Sequence, residues 1–202
     1  MFVSDPQDRP ILGIDPGLTR MGYGAVVRAG SAARAVSAGV ITTDPALDLP
    51  ARLGRLSVEI EALLDDIAPR AMAVERVLFQ VNVRTAISVG QASGLAIAAA
   101  ARRSIPVVQY SPNEVKLSVT GDGAASKQAV QMMVAKLLGL AAVPDPPDAA
   151  DALALALCHA WRDRVESARS AATAGASPNL GSQSNRQTRI EAAIAKTAKA
   201  RK

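Results

Sequence analysis

One stretch constrains this chain more than any other: Ile11-Leu12-Gly13-Ile14-Asp15-Pro16-Gly17, an apolar run that ends in a carboxylate and turns at once. A strand buried on both faces reads as continuous apolar residues, so Ile11 to Ile14 predict a central strand. Asp15 then stands at the exit of a rigid sheet. Two readings are open at this point. Asp before Pro-Gly favours a turn, and a carboxylate held at a sheet rim is equally suited to chemistry.

The remaining pattern supplies a sheet and its cover. Met21 to Val27 and Ala35 to Thr43 predict two strands, with Gly30-Ser31 as a hairpin turn between them. Leu53, Leu56, Ile60, Leu63, Leu64 and Ile67 recur at helical spacing between Leu49-Pro50 and Pro69. Ala71 to Leu78 predicts a second central strand, interrupted by Glu75, and Ile105 to Tyr110 a further short one. Helices are predicted over Val83 to Arg103, Asn113 to Val119, Ser126 to Leu140 and Asp148 to Trp161. In the first, Gly90 and Gly94 lie four apart, a spacing that allows close packing against another helix. In the third, Val130, Met133, Leu137 and Leu138 predict the packed side. Strands first, then strands alternating with helices, predict an α/β fold: a mixed sheet with helices on both faces.

Length and charge divide the chain further. The 202 residues suit one domain, expected over residues 11–166, between a flexible N-terminus (1–10) and a basic, low-complexity tail (167–202). Low hydrophobicity with excess charge predicts that the tail is disordered. From Asp163 onward there are eight Lys or Arg against three acids, which equals the whole chain's net charge of +5. The body is therefore neutral, and any polyanion binding by it needs local patches or bound metal. Aromatics at 2% argue against rows of base-stacking platforms. The single cysteine, Cys158, excludes an internal disulfide and a multi-cysteine zinc site; with His159 beside it, it reads as helix packing. No apolar run has the length of a membrane span and no signal-like core opens the chain, so a cytoplasmic protein is expected.

Apart from Asp15, three acids strain a purely structural reading. A charge inside a central strand is costly unless paired or metal-bound, so Glu75 implies an edge strand, an ion pair with Arg76, or a site. Asp148 and Asp151 lie three apart at a helix start, on one face; helix capping explains them as well as chemistry does. Four carboxylates gathered together would repel one another and bind protons more tightly. Divalent cations resolve that conflict, because Mg²⁺ takes hard oxygen ligands and bridges carboxylates to phosphate. Two such ions serve in-line phosphoryl displacement. Taken together, the four acids predict a nuclease site.

These residues resemble the RuvC family of Holliday-junction resolvases. The matching stretches are Gly13-Ile14-Asp15-Pro16-Gly17 with Gly22-Tyr23-Gly24, then Val74-Glu75-Arg76-Val77. Asn82-Val83-Arg84-Thr85-Ala86 with Val89-Gly90-Gln91-Ala92 also matches, as do Glu114-Val115-Lys116 with Val119-Thr120-Gly121 and Asp148 through Ala154. The resemblance covers Ile11 to Trp161. It implies a ribonuclease-H-like fold with a mixed five-stranded sheet and a homodimer. It further implies dependence on Mg²⁺ or Mn²⁺, with two ions per site, and symmetric nicks in opposing strands of a four-way DNA junction. A branch-migration helicase and its junction-binding partner are the implied co-workers. Asp15, Glu75, Asp148 and Asp151 match the metal-binding catalytic acids, and Lys116 and Lys127 the basic residues beside them. Arg84 and Gln91 fall on the helix implied to face the dimer or DNA. Many members carry an aromatic three residues after the glutamate; here that position is Leu78, and Phe79 follows as the candidate stacking residue.

Competing readings remain at this stage. Asp15-Pro16-Gly17-Leu18-Thr19 also fits the phosphate loop of sugar kinases and actin-like ATPases, but no second copy of that lobe follows. A related nuclease acting on RNA or on another branched DNA is the nearer rival. A silent junction-binding protein would have no need of the four acids.

Overall fold

The computed structural model describes residues 9–30, 32–77 and 83–175. The first eight residues, the tail beyond Gly175, and Leu78 and Phe79 lie outside them. The chain divides into two compact units, Met1–Val165, which holds the sheet, and Glu166–Lys202.

The elements run β1 (Ile11–Asp15), β2 (Arg20–Ala29), β3 (Ala32–Thr42), α1 (Leu49–Ile67), β4 (Ala71–Glu75), α2 (Val83–Arg102), β5 (Val107–Tyr110), α3 (Pro112–Thr120), α4 (Lys127–Leu138) and α5 (Pro147–Gly175). They build one five-stranded sheet in the order β3-β2-β1-β4-β5. β1, β2 and β3 form an antiparallel meander, while β4 and β5 join β1 in parallel. The apolar opening run is thus the middle strand.

Alternation along β1 explains the two layers, since successive side chains point to opposite faces. Leu12 and Ile14, with Met72 and Val74 of β4, pack on Leu56, Ile60 and Leu64 of α1 and on the alanines of α2. Ile11, with Ala71 and Ala73, packs on α3, α4 and α5 through Val115, Val134, Leu153 and Leu157. Leu12 and Ile14 are fully buried, each contributing about 1.5–3 kcal/mol of burial free energy. Helices on both faces are the observed result. Local signals place the helix starts: Asp48 caps α1, Ser111 and Glu114 form a capping box on α3, and Ser126 caps α4.

On α4 the four expected residues all pack on the core, Val130 and Leu138 buried and Met133 and Leu137 half-buried, joined by the buried Val134 and Ala135. Three sequence expectations change. β4 ends at Glu75 rather than continuing to Leu78, so the carboxylate terminates a strand and does not interrupt one. α5 extends past Trp161 to Gly175. Gly90 and Gly94 face open space, with no atom of the described structure within 4 Å of a Cβ built on either; α2 meets α1 through Ala92, Ala96 and their neighbours instead.

Other glycines do permit a close approach. A Cβ on Gly13 would lie 1.9 Å from the Ala152 carbonyl oxygen, and one on Gly22 would lie 2.2 Å from that of Asp148. At Gly24 it would meet Leu153 at 2.7 Å. The three glycines share one face of β1 and β2, and α5 lies directly on their backbones. Its residues Ala149, Ala150 and Ala152 to Leu157 are all buried.

Candidate active site

Asp15 and Glu75 are the last residues of β1 and β4, which run parallel with Ile14 opposite Val74. The next residue on each strand therefore lies beside the other, on the face that carries α5. Carboxyl ends of parallel strands are where open α/β sheets place ligands. Glu75 is on an interior strand, and Arg76 donates to the Gln109 carbonyl (Nη2–O 3.1 Å). Neither structural alternative for Glu75 is realised. α5, seated on Gly13 and Gly22, brings Asp151 over the same strand ends.

Asp15, Glu75 and Asp151 line one open cavity of about 360 Å³ with Lys116 of α3 and Lys127 of α4. Val115, Val130 and Leu155 form its apolar wall. Burial pushes the Asp15 carboxyl up to about 8, reinforced by the charge of Glu75, by the hydrogen bond between the two, and by Asp151. Glu75 is also pushed up, first by burial and then by Asp151, while its hydrogen bond with Asp15 and the charge of Lys127 pull the other way. The Lys127 ammonium sits 2.6 Å from Asp151 Oδ2. That hydrogen bond is the main cause of a raised Lys127 pKa, with Asp15 and Asp148 adding to it.

Asp148 lies beside the cavity without lining it, near enough for its charge to act on Lys127. Its Oδ2 accepts from Arg20 Nη2 at 2.8 Å and Nε at 3.1 Å. Gln91 lies on α2, half-buried and outside the cavity, and Arg84 falls in the first turn of that helix. Phe79 is outside the described residues. Cys158 is buried, and His159 Nδ1 lies 2.8 Å from the Tyr110 hydroxyl, a packing role for both. Arg20 escaped the sequence reading. The signal that marks it is position: a base opening a strand two residues before the glycine on which α5 rests.

Among the described residues, no three of the His, Cys, Asp and Glu side chains already form a metal-binding cluster. The acids are instead paired with one another and with Arg20 and Lys127. Their chemistry nevertheless fits hard divalent cations. The donors are carboxylate oxygens, their mutual repulsion is relieved by binding a proton, and an ammonium ion already stands among them.

The family model for "Crossover junction endodeoxyribonuclease RuvC" matches residues 11–159. A protein of that name from Frankia alni is 55% identical over 153 residues, covering 75% of this chain and 78% of the relative. Its namesake from Pseudarthrobacter chlorophenolicus is 48% identical over 192 residues, 95% of this chain and 98% of the other. Among solved structures, Thermus thermophilus RuvC in complex with Holliday junction substrate superposes with a TM-score of 0.74 at 38% identity, over 78% of this chain and 96% of that one. Fold, acidic cavity and sequence agree: the chain belongs to the RuvC family of crossover junction endodeoxyribonucleases, divalent-metal-dependent nucleases of ribonuclease-H-like fold.

Proposed function

We propose that this protein resolves four-way DNA junctions, in recombination and repair, by paired nicks in opposing strands, with Asp15, Glu75, Asp148 and Asp151 as its metal-holding acids. The observation that carries the reading is the convergence of Asp15, Glu75 and Asp151 with Lys116 and Lys127 in one cavity, on the fold of a RuvC solved with Holliday junction substrate. Mg²⁺ or Mn²⁺, two ions per site, would supply activation of a water and stabilisation of the departing 3′ oxygen. Asp15, at the meeting point of both strands, is the carboxylate suited to bridge the ions. Lys116 and Lys127 line the same cavity and would meet a DNA phosphate that enters it.

A homodimer with two sites accounts for paired nicks. Supporting it, α2 presents a stripe of Val83, Ile87, Gly90, Gly94, Ala98 and Ala101, all exposed and spaced three or four apart. Val83 is 71% and Ile87 57% exposed. A contiguous apolar stripe on a monomer marks an interaction surface, and its two glycines would let a second helix approach closely. Arg84 and Gln91 on the same helix would then serve the dimer or DNA boundary, and Phe79, which precedes the helix in sequence, is assigned to stacking at the junction. A cytoplasmic location and cooperation with a branch-migration helicase and its junction-binding partner follow from the family alone. Among the described residues, no helix is long and apolar enough to cross a membrane.

The test is incubation with mobile four-way and linear DNA, in Mg²⁺ or EDTA. Paired, metal-dependent nicks on the four-way species alone are expected. Cutting of RNA or of linear duplex at comparable rates would overturn the assignment.

A further inference from the structure

Arg20 opens β2 on the face that carries α5, and it grips a single oxygen of Asp148 through two guanidinium nitrogens, at 2.8 and 3.1 Å. The segment behind it is braced. Arg52, on the first turn of α1, donates to the Thr19 hydroxyl at 2.6 Å and to that of Thr43 at 3.0 Å. The buried Thr43 hydroxyl donates in turn to the Leu18 carbonyl at 2.6 Å, and the Thr43 amide to the Thr19 carbonyl at 3.0 Å. The backbone of Asp148 is fixed as firmly, since its carbonyl rests against Gly22, which leaves the Arg20 contact to hold its carboxylate. An ion pair whose side chains are 46% and 28% exposed adds little to stability. Two nitrogens and so firm a brace are out of proportion to that.

The two acids of α5 are thus divided between two bases. Lys127 sits on Asp151 inside the cavity, while Arg20 holds Asp148 beside it. A divalent ion held through Asp148 competes with the guanidinium for the same carboxylate.

We propose that Arg20 is a positioning residue that latches Asp148 outside the acidic cavity and thereby weakens the site's hold on a divalent cation until Asp148 is released. This rests on the reading that the four acids are metal ligands. The latch makes metal uptake and the swing of Asp148 one coupled event, in which the energy of cation binding is partly spent on breaking the Arg20 contact.

The test is titration of Mn²⁺ into the full chain without DNA, followed by calorimetry, so that the readout is affinity and not turnover. Arg20→Ala is expected to bind Mn²⁺ about three- to tenfold tighter, the size of a partly screened charge interaction on a half-exposed pair. Arg20→Lys, which keeps the charge but loses the two-nitrogen grip, is expected between the two. In an Asp148→Asn background, Arg20→Ala is expected to bring no gain. Unchanged or weaker Mn²⁺ binding by Arg20→Ala would overturn the latch. An equal gain in the Asp148→Asn background would overturn it too, since Arg20 would then act by charge alone. Arg20→Gln keeps the side chain's length and gives the same comparison if alanine disturbs β2, with thermal unfolding of each metal-free variant as the check on folding. Wild-type protein that binds no Mn²⁺ would overturn the metal-site reading itself and the latch with it, an outcome distinct from the other two.

Discussion

Gly13 lies directly beneath Ala152, so close that a Cβ on the glycine would come within 1.9 Å of the alanine's carbonyl oxygen and 2.8 Å of the Ala156 nitrogen. Backbone meets backbone there, and no side-chain rotation relieves an added methyl. Gly13→Ala must therefore lift α5 from the sheet, at a cost of about 2–4 kcal/mol, the range of severe overpacking. Because α5 carries Asp151, cleavage should fall by more than the loss of folded protein. Urea unfolding and junction cleavage on the same preparation check both. Gly54→Ala is the control: it sits inside α1 with nothing within 4 Å, and should gain about 0.5–1 kcal/mol from helix propensity.

Asp15→Asn should abolish cleavage, leave junction binding largely intact, and stabilise the metal-free protein at neutral pH. The sign follows from proton linkage. Asp15 titrates near 3.8 unfolded and about 8 folded, so between those values the native state holds more protons than the unfolded state. Its contribution is fully present below about pH 4 and is lost as pH rises towards 8. Asparagine keeps a neutral hydrogen-bonding group and loses the repulsion, for a gain of about 1–2 kcal/mol at pH 7.5. Melting temperatures of both proteins in EDTA across pH 5 to 8, roughly that window, should diverge with rising pH. Parallel curves would remove Asp15 as the titrating group.

Ile87→Arg places a charge in the middle of the exposed α2 stripe without touching the core, since Ile87 is 57% exposed. The fold should survive, with a change in unfolding free energy within about 0.5 kcal/mol. Sedimentation should shift from dimer to monomer. A variant that remains dimeric would move the interface to another face.

Removal of residues 176–202 takes away six Lys or Arg and one acid. Log affinity for DNA should then fall less steeply with log salt, by as much as about 4.5 in slope if every net charge met a phosphate. Nicking should persist, because no acid of the site is removed. Equal binding by the two proteins at every salt concentration would deny the tail an electrostatic role.

Much of this was legible in the chain because it was written in local patterns. The β1 run, the α1 stripe and the proline stops placed the elements, and the acids stood out against apolar surroundings. What could not be read was geometry across the chain. Nothing near Gly90 and Gly94 distinguishes a glycine pair packed inside the fold from one left facing outward. Gly13, Gly22 and Gly24 matter because of a helix more than 120 residues later. Arg20 is an ordinary basic residue until α5 sets Asp148 beside it. Glu75 looked like an interruption because the two residues after Arg76 are apolar, yet β4 stops at the acid, where the sheet ends and a charge can reach the cavity.

The docking of α5 on those glycines also bears on how such an activity is contained. Asp15 leaves the ribosome almost first and Asp151 almost last among the residues of the sheet-bearing unit. A nascent chain that has made β1 and β4 holds two acids and no closed site. On the proposed reading of the four acids, the site closes only when α5 has been made, and a product truncated before Pro147 should not nick DNA. The same arrangement makes α5 the safety catch of the folded molecule: any event that frays its first turns disarms the site before the rest of the domain unfolds.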